Sequence, residues 1–547
     1  MNKCLQAPEI LHLICNELPN SNLDDRQRLL AVALSCRALL EPGLDRLWHT
    51  IRSFQPLMTM LPLDLFKLEK KPNLGTSGFY LLVNLRREIV PSDLDRYLTY
   101  YAPRIREVDI ALLKGTFSPE FWQGLQLATG WRHGALSPSA WKVVWTLTAP
   151  FQSLLSQDIL DQTFAYFSLF LGPKSTCVTF GFKSEVPLQA ASIRNAPSIP
   201  TALKELSLQD ASPIASELSF LTSSIQSSSW RDLEGLTILN LPPNAISHLS
   251  TLPHLSRLEI GELHDTRPVR SYTQADITNR PGHLSTMSTG VFRSLKYLKL
   301  SSAVSANFEG FLQHLPPNNQ LHTLKCILGV APSSARVKAI LATIHLHCNP
   351  KHFRELVIKG SPGTAANKER LDTYWDIGID LNPLLIFTQL ETLSLNLLLG
   401  VNLNPADINQ IVARFPRLVK LNVDTDAFDS RIPQIDHTHV LQLIYKLRHL
   451  RKLGLRFNAT AIPEYPANDP ALANLTTAKH LPSQLVTLWV GDSPIYSPPS
   501  VARFFKMHCP NLRMDRIITL PIDSNIPETM PVVMYQKRWR ALEDQDV

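Results

Sequence analysis

The chain has 547 residues, with 54 lysines and arginines against 47 aspartates and glutamates, a formal charge of +7, and a composition 44% hydrophobic but only 8% aromatic. That is enough apolar material for a large core, and the charge excess is too mild, with no basic cluster interleaved with aromatics, for a nucleic-acid-binding protein. No apolar run is long enough to span a bilayer, Glu9, His12, Asn16 and Glu17 interrupt any signal-like start, and seven scattered cysteines fit free thiols, so a soluble protein of the cytoplasm and/or nucleus is expected.

The first 50 residues predict three small helices. Pro8-Glu9 opens one where proline costs least, and Ile10, Leu11, Ile14 and Leu18 follow at helical spacing. Asn22, Asp24 and Asp25 open a second helix, which carries Leu29, Val32 and Cys36 on one stripe and Leu30, Ala33 and Leu34 beside it. Pro42 is expected to start a third, bearing Leu44, Leu47 and Trp48. A unit this small cannot bury so much apolar surface alone, so the surplus must meet another surface.

These residues resemble the F-box, whose pattern is a Leu-Pro-x-Glu opening, an Ile/Leu helix, a Val-x-x-x-Cys-Arg helix and a closing Trp. The matching positions are Pro8, Glu9, Ile10, Ile14, Leu18, Leu29, Val32, Cys36, Arg37, Leu44 and Trp48, with Ala7 where the family has Leu. The wording Ala-Leu-Ser-Cys-Arg-Ala followed by Leu-Asp-x-Leu-Trp is similar to the F-box families of mushroom-forming fungi. The resemblance implies that Pro8, Ile10, Leu11, Ile14, Leu18, Leu29, Val32, Cys36 and Trp48 bind a Skp-type adaptor.

Domain boundaries are expected at 1–52 for the helical unit and 53–100 for a helical linker containing a flexible segment. Within that linker, residues 66–77 are Lys-rich and then polar. Residues 100–110, a proline stop followed by a strand, with 141–147 and 176–180, read as the first three strands of a following array.

From about residue 200 the phrase Leu-x-x-Leu-x-Leu, or a close variant, returns ten times. It begins at Leu203, Leu236, Leu255, Leu295, Leu321, Phe353, Leu390, Leu418, Leu450 and Leu485. Alternating apolar positions predict one half-buried strand per copy, and helical stretches at 404–415 and 437–447 lie between copies. The fold class expected is α/β: an irregular leucine-rich-repeat solenoid over 101–520, parallel sheet inside and helices outside, preceded by the small all-α F-box. The 40 residues from Leu255 to Leu295 imply an inserted loop over 261–290, and 521–547 is expected to form a C-terminal cap or tail.

Searches for chemistry give nothing catalytic. Gly172-Pro-Lys174 lacks the glycines of a phosphate loop, and no nucleophile elbow or Cys-x-x-Cys occurs. His345, Cys348 and His352 share a helical face, but they sit where a helix gives way to a strand and read as filler rather than metal ligands. No cofactor is expected. Function should lie in surfaces, and the layout resembles F-box/leucine-rich-repeat proteins. That implies a non-enzymatic substrate receptor joined through a Skp-type adaptor to a cullin-RING ubiquitin ligase, with an unknown protein substrate and no nucleic acid or membrane partner. The alternative is a non-catalytic repeat scaffold whose F-box-like helices only cap the solenoid. In the repeat register the leucines turn inward, sending Arg257, Glu259, Tyr297, Lys299, Lys325, Lys420, Lys452, Arg456 and Trp489 to the concave face. That row is the expected substrate surface and favours an acidic or phosphorylated partner.

Overall fold

A computed structural model of the chain describes residues 7–20, 22–72, 79–110, 116–146, 162–183, 186–194, 202–210, 230–241, 243–263, 292–329, 332–360, 379–398, 401–426, 431–462, 483–520 and 531–542. The chain divides into two units, Met1–Asn240 and Leu241–Val547. Both are α/β, built on parallel strands.

In the first unit three helices lead: α1 (Pro8–Glu17), α2 (Leu23–Ser35) and α3 (Arg37–Trp48). Proline at its start opens α1, and the Asn22 side chain accepts from the Asp25 amide to cap α2. The third helix was expected to begin at Pro42 but starts five residues earlier, because extended Cys36 (φ −157°) breaks the chain there and Pro42 lies inside α3. A proline there forfeits a helical hydrogen bond. Packing holds it in place: Pro42 and Gly43 are buried, and a side chain at 43 would collide with Ala33 of α2.

Strand Thr50–Ile51 follows immediately and pairs in parallel with Glu107–Ile110. The parallel ladder continues through Lys142–Thr146, Cys177–Phe182, Glu205–Asp210 and Gly235–Ile238. The helices therefore run straight into the ladder without a linker. Residues 53–100 are not the expected helical linker either. Phe66–Pro72 is a strand antiparallel to Phe79–Leu85, which pairs in turn with Thr116–Phe117. The Lys-rich run misleads because Lys67 and Lys71 flank Glu69 at 2.8 and 3.2 Å, holding its carboxyl down at about 2. An ion-paired strand reads as a polar loop when only composition is considered.

In the second unit nine parallel strands lie in chain order among the described residues: Arg257–Ile260, Tyr297–Ser302, Thr323–Leu328, Glu355–Gly360, Thr392–Asn396, Lys420–Val423, Lys452–Gly454, Thr487–Gly491 and Ile517–Thr519. Each of the ten six-residue phrases overlaps one strand of the two ladders. Equivalent leucines meet in register, Leu298, Leu324, Leu356, Leu393, Leu421, Leu453 and Leu488, and all are buried.

Helices Pro405–Arg414 and His437–Lys446 fall where the periodicity placed them, capped by the Asn404 and Asp436 side chains. Cys348 and Cys509 end helices as buried thiols, and burial pushes the Cys509 thiol up to about 12. Helix Pro531–Arg540 closes the unit: Trp539 Nε1 donates to the Ser493 carbonyl at 2.8 Å, and Arg538 to that of Ile495 at 2.9 Å. Of the expected insertion at 261–290, residues 264–290 lie outside the described residues.

Candidate protein-binding surfaces

The N-terminal helices sort their apolar residues into two sets. Leu11 and Cys15 of α1, Leu29 and Ala33 of α2, and Leu47 and Trp48 of α3 are buried. Trp48 packs on Tyr101 (ring centroids 4.5 Å apart) and Tyr97 (6.2 Å), both outside the three-helix unit. Charged and polar contacts fix the trio further. Arg46 donates to the Leu18 carbonyl at 3.2 Å, and Arg104 grips Glu41 and Asp45 of α3.

The other set faces out. Ile10, Leu13 and Ile14 form a stripe at helical spacing on α1, with Leu13 64% exposed. Leu30 and Leu34 form a second stripe on α2, and Leu34 is 68% exposed. Contiguous apolar exposure of this kind marks an interaction surface.

The expected adaptor set is thereby divided. Pro8, Ile10 and Ile14 are exposed, and Leu18, Val32 and Cys36 are half-buried. Leu11, Leu29 and Trp48 are core residues that support the helices and are unavailable for contact. Leu13, Leu30 and Leu34, exposed on the same helices, stood outside that expected set. The signal was present in the i, i+3, i+4 spacing of Ile10, Leu13 and Ile14 and the i, i+4 pair of Leu30 and Leu34.

The outward sheet face of the second unit carries the other expected set, and the structure splits it as well. Register places Arg257 beside Tyr297, Glu259 beside Lys299 and Lys299 beside Lys325. Here cations are neutralised: Glu259 takes both Arg257 and Lys299 (3.2 Å), and Lys325 pairs with Glu355 at 3.1 Å. The Arg257 guanidinium also covers the Tyr297 ring at 4.8 Å.

Arg456 is not on a free face. Its Nε donates to Asp492 at 2.6 Å, both side chains are nearly fully buried, and it reaches the Arg431 carbonyl. It is an internal clamp beyond the end of the strand at 452–454, held out of the solvated row by its pairing with Asp492. Lys420 and Lys452 face each other across adjacent strands, with Lys420 Nζ 5.6 Å from the ring centroid of half-buried Trp489. Burial, then the charge of Lys452, pulls the Lys420 ammonium below its usual range.

Beside this pair, Asp424 was also missed. In the left-handed region (φ 51°), it accepts from the amides of Leu397, Leu398 and Val401 at 2.9, 2.7 and 2.8 Å, fixing the exit of the preceding strand.

Among the described residues no group of three or more His, Cys, Asp or Glu is placed to hold a metal. His345 Nδ1 lies 2.8 Å from the Pro383 carbonyl instead. No described helix is long and apolar enough to cross a membrane. No protein-family model matches the chain, and no curated protein is detectably similar to it.

Proposed function

We propose that this chain is the substrate-recognition subunit of a cullin-RING ubiquitin ligase: its N-terminal helices are an F-box that docks a Skp-type adaptor, and its leucine-rich-repeat array holds the protein to be modified. The observation that carries this reading is the pair of exposed apolar stripes, Ile10/Leu13/Ile14 and Leu30/Leu34, on helices whose inward residues Leu11, Cys15, Leu29 and Ala33 are already buried. Such surface is costly in water and is accounted for by a partner. The chain then performs no covalent chemistry itself, and its place of action is the cytoplasm or nucleus.

A second reading has its own support. Trp48 packs inside the first unit, and the chain passes from α3 directly into the ladder strand Thr50–Ile51, as expected of helices that only cap a repeat scaffold. The two readings part on one experiment, affinity purification of the chain followed by mass spectrometry. A receptor recovers the adaptor and a cullin, and Ile14→Asp with Leu34→Asp removes both while the fold is kept. A scaffold recovers neither from the outset.

A further inference from the structure

On the strands from Arg257–Ile260 to Glu355–Gly360, buried and partly exposed side chains mostly alternate, and the outward cations Arg257, Lys299 and Lys325 are paired with carboxylates, Lys359 being the exception among the described residues. On the strands that follow, the outward row changes character. Register aligns Ser394, Asn422, Gly454 and Trp489 across four strands. Ser394 is 5% exposed and Asn422 7%, although both point away from the leucine core. Gly454 makes this possible, since any side chain there would collide with the Asn422 amide, whose Oδ1 accepts from Thr425 at 2.8 Å. The result is a recessed polar floor with the Trp489 ring on one side.

At one end of the floor, Lys420 and Lys452 sit at the same register on adjacent strands. Like charges placed so are unfavourable, and among the described residues neither lysine forms an ion pair. The burial and mutual repulsion felt by Lys420 are the cost of keeping them there. At the other end, four residues along the strand or roughly 13 Å away, Asn396 is 7% exposed. Its Nδ2 donates to Asp426, while its Oδ1 is buried without a hydrogen-bond partner among the described residues. An orphaned buried acceptor is costly, and an N–H donor from a ligand would satisfy it.

We propose that this strip binds an extended acidic segment of a partner protein, with a carboxylate lodged between Lys420 and Lys452, a side chain against Trp489, and a backbone N–H donated to Asn396 Oδ1. An extended backbone matches the length of the floor, and one carboxylate meets both ammonium groups. A nucleic acid fits less well, because a phosphate at every step of its backbone would meet Asp426 and the Glu355 carboxylate as well as the lysines, whereas a peptide can place a single carboxylate at the lysine end and neutral residues elsewhere. The proposal rests on the reading of the repeat face as the substrate-holding surface and names the class of substrate segment it takes.

The test is selection of a phage-displayed library of random 12-residue peptides on the full-length chain, with no adaptor present. Aspartate and glutamate are expected to be enriched in the bound pool. The best selected peptide, fluorescently labelled, should lose roughly tenfold or more in affinity to the Lys420→Gln/Lys452→Gln variant, as removal of charge-assisted contacts implies, and should weaken with added salt. The Lys420→Glu/Lys452→Glu variant should select lysine and arginine instead. The uncharged Gln pair keeps the test valid if charge reversal disturbs folding. A selected pool without acidic enrichment, unchanged affinity in the Gln pair, or displacement of the peptide by a single-stranded oligonucleotide that binds more tightly overturns the proposal. Acidic selection by a chain that recovers no adaptor leaves this inference standing and removes only the ligase reading.

Discussion

Two stretches of one parallel ladder, strands 257–360 and strands 392–491, share a core and differ on the face opposite it. In both, in-register leucines are fully buried. In the first, most outward charges are matched, Glu259 to Arg257 and Lys299, Glu355 to Lys325, with exposed Lys359 the exception among the described residues. In the second, Lys420 and Lys452 stand side by side over a recessed floor of small polar residues. The leucine row is set by the need to exclude water. The outward row is not, so a departure from ordinary charge matching there points to a task outside the fold.

The shared core is the first part of this comparison to attack. Leu298→Ala and Leu421→Ala each delete a fully buried side chain, and each should cost about 2–5 kcal/mol in urea denaturation. A loss near zero at either site means that its strand does not pack as described. Next comes the floor. Gly454→Val forces Asn422 aside and should cost about 1–3 kcal/mol by the same measurement, whereas Val at an outward position of the first stretch, such as Lys325→Val, should cost less. Equal losses would remove the distinction between the two faces.

The charged rows come third. Glu259→Gln with Glu355→Gln unmatches the cations of the first stretch and should change stability by less than about 1 kcal/mol, yet increase binding of the selected acidic peptides there. No gain in binding would show that bare lysines do not suffice and that the floor is required.

The smallest effect is one of pH. Burial lowers the proton affinity of His508, whose Nδ1 lies 2.6 Å from the Tyr445 hydroxyl. The unfolded chain then binds the proton more readily, so stability of the second unit should fall as pH drops from 7 to 5, and fall less in His508→Asn. Identical slopes in the two proteins would mean that His508 is protonated in the fold.

Much of this architecture was legible because it rests on periodicity. Ten phrases with alternating leucines matched ten strands, and the helices at 405–414 and 437–446 were visible as helical stretches between copies. The misreadings share a cause: the decisive partner is distant in sequence. The Lys67–Glu69–Lys71 run is a strand because Phe79–Leu85 pairs with it. Pro42 is tolerated inside α3 in a helix packed closely against Ala33. Arg456 is buried because Asp492 waits 36 residues on. The surfaces were half legible. Apolar excess at the N-terminus showed in composition, but that Trp48 faces inward depended on Tyr97 and Tyr101, far along the chain. The lysine row was readable, whereas its neutralisation by Glu259 and Glu355 in one stretch and not the other required the register.

The central claim is that the exposed apolar stripes of α1 and α2 dock an adaptor. Titration calorimetry of the full chain with a purified Skp-type adaptor at several temperatures tests it most directly. One-to-one binding with a negative heat-capacity change, the mark of buried apolar surface, is expected. In Ile14→Asp/Leu34→Asp, an unchanged fold and stability within about 0.5 kcal/mol of the parent should accompany loss of that binding. No heat of binding in the parent chain, or equal affinity in the double variant, would contradict it.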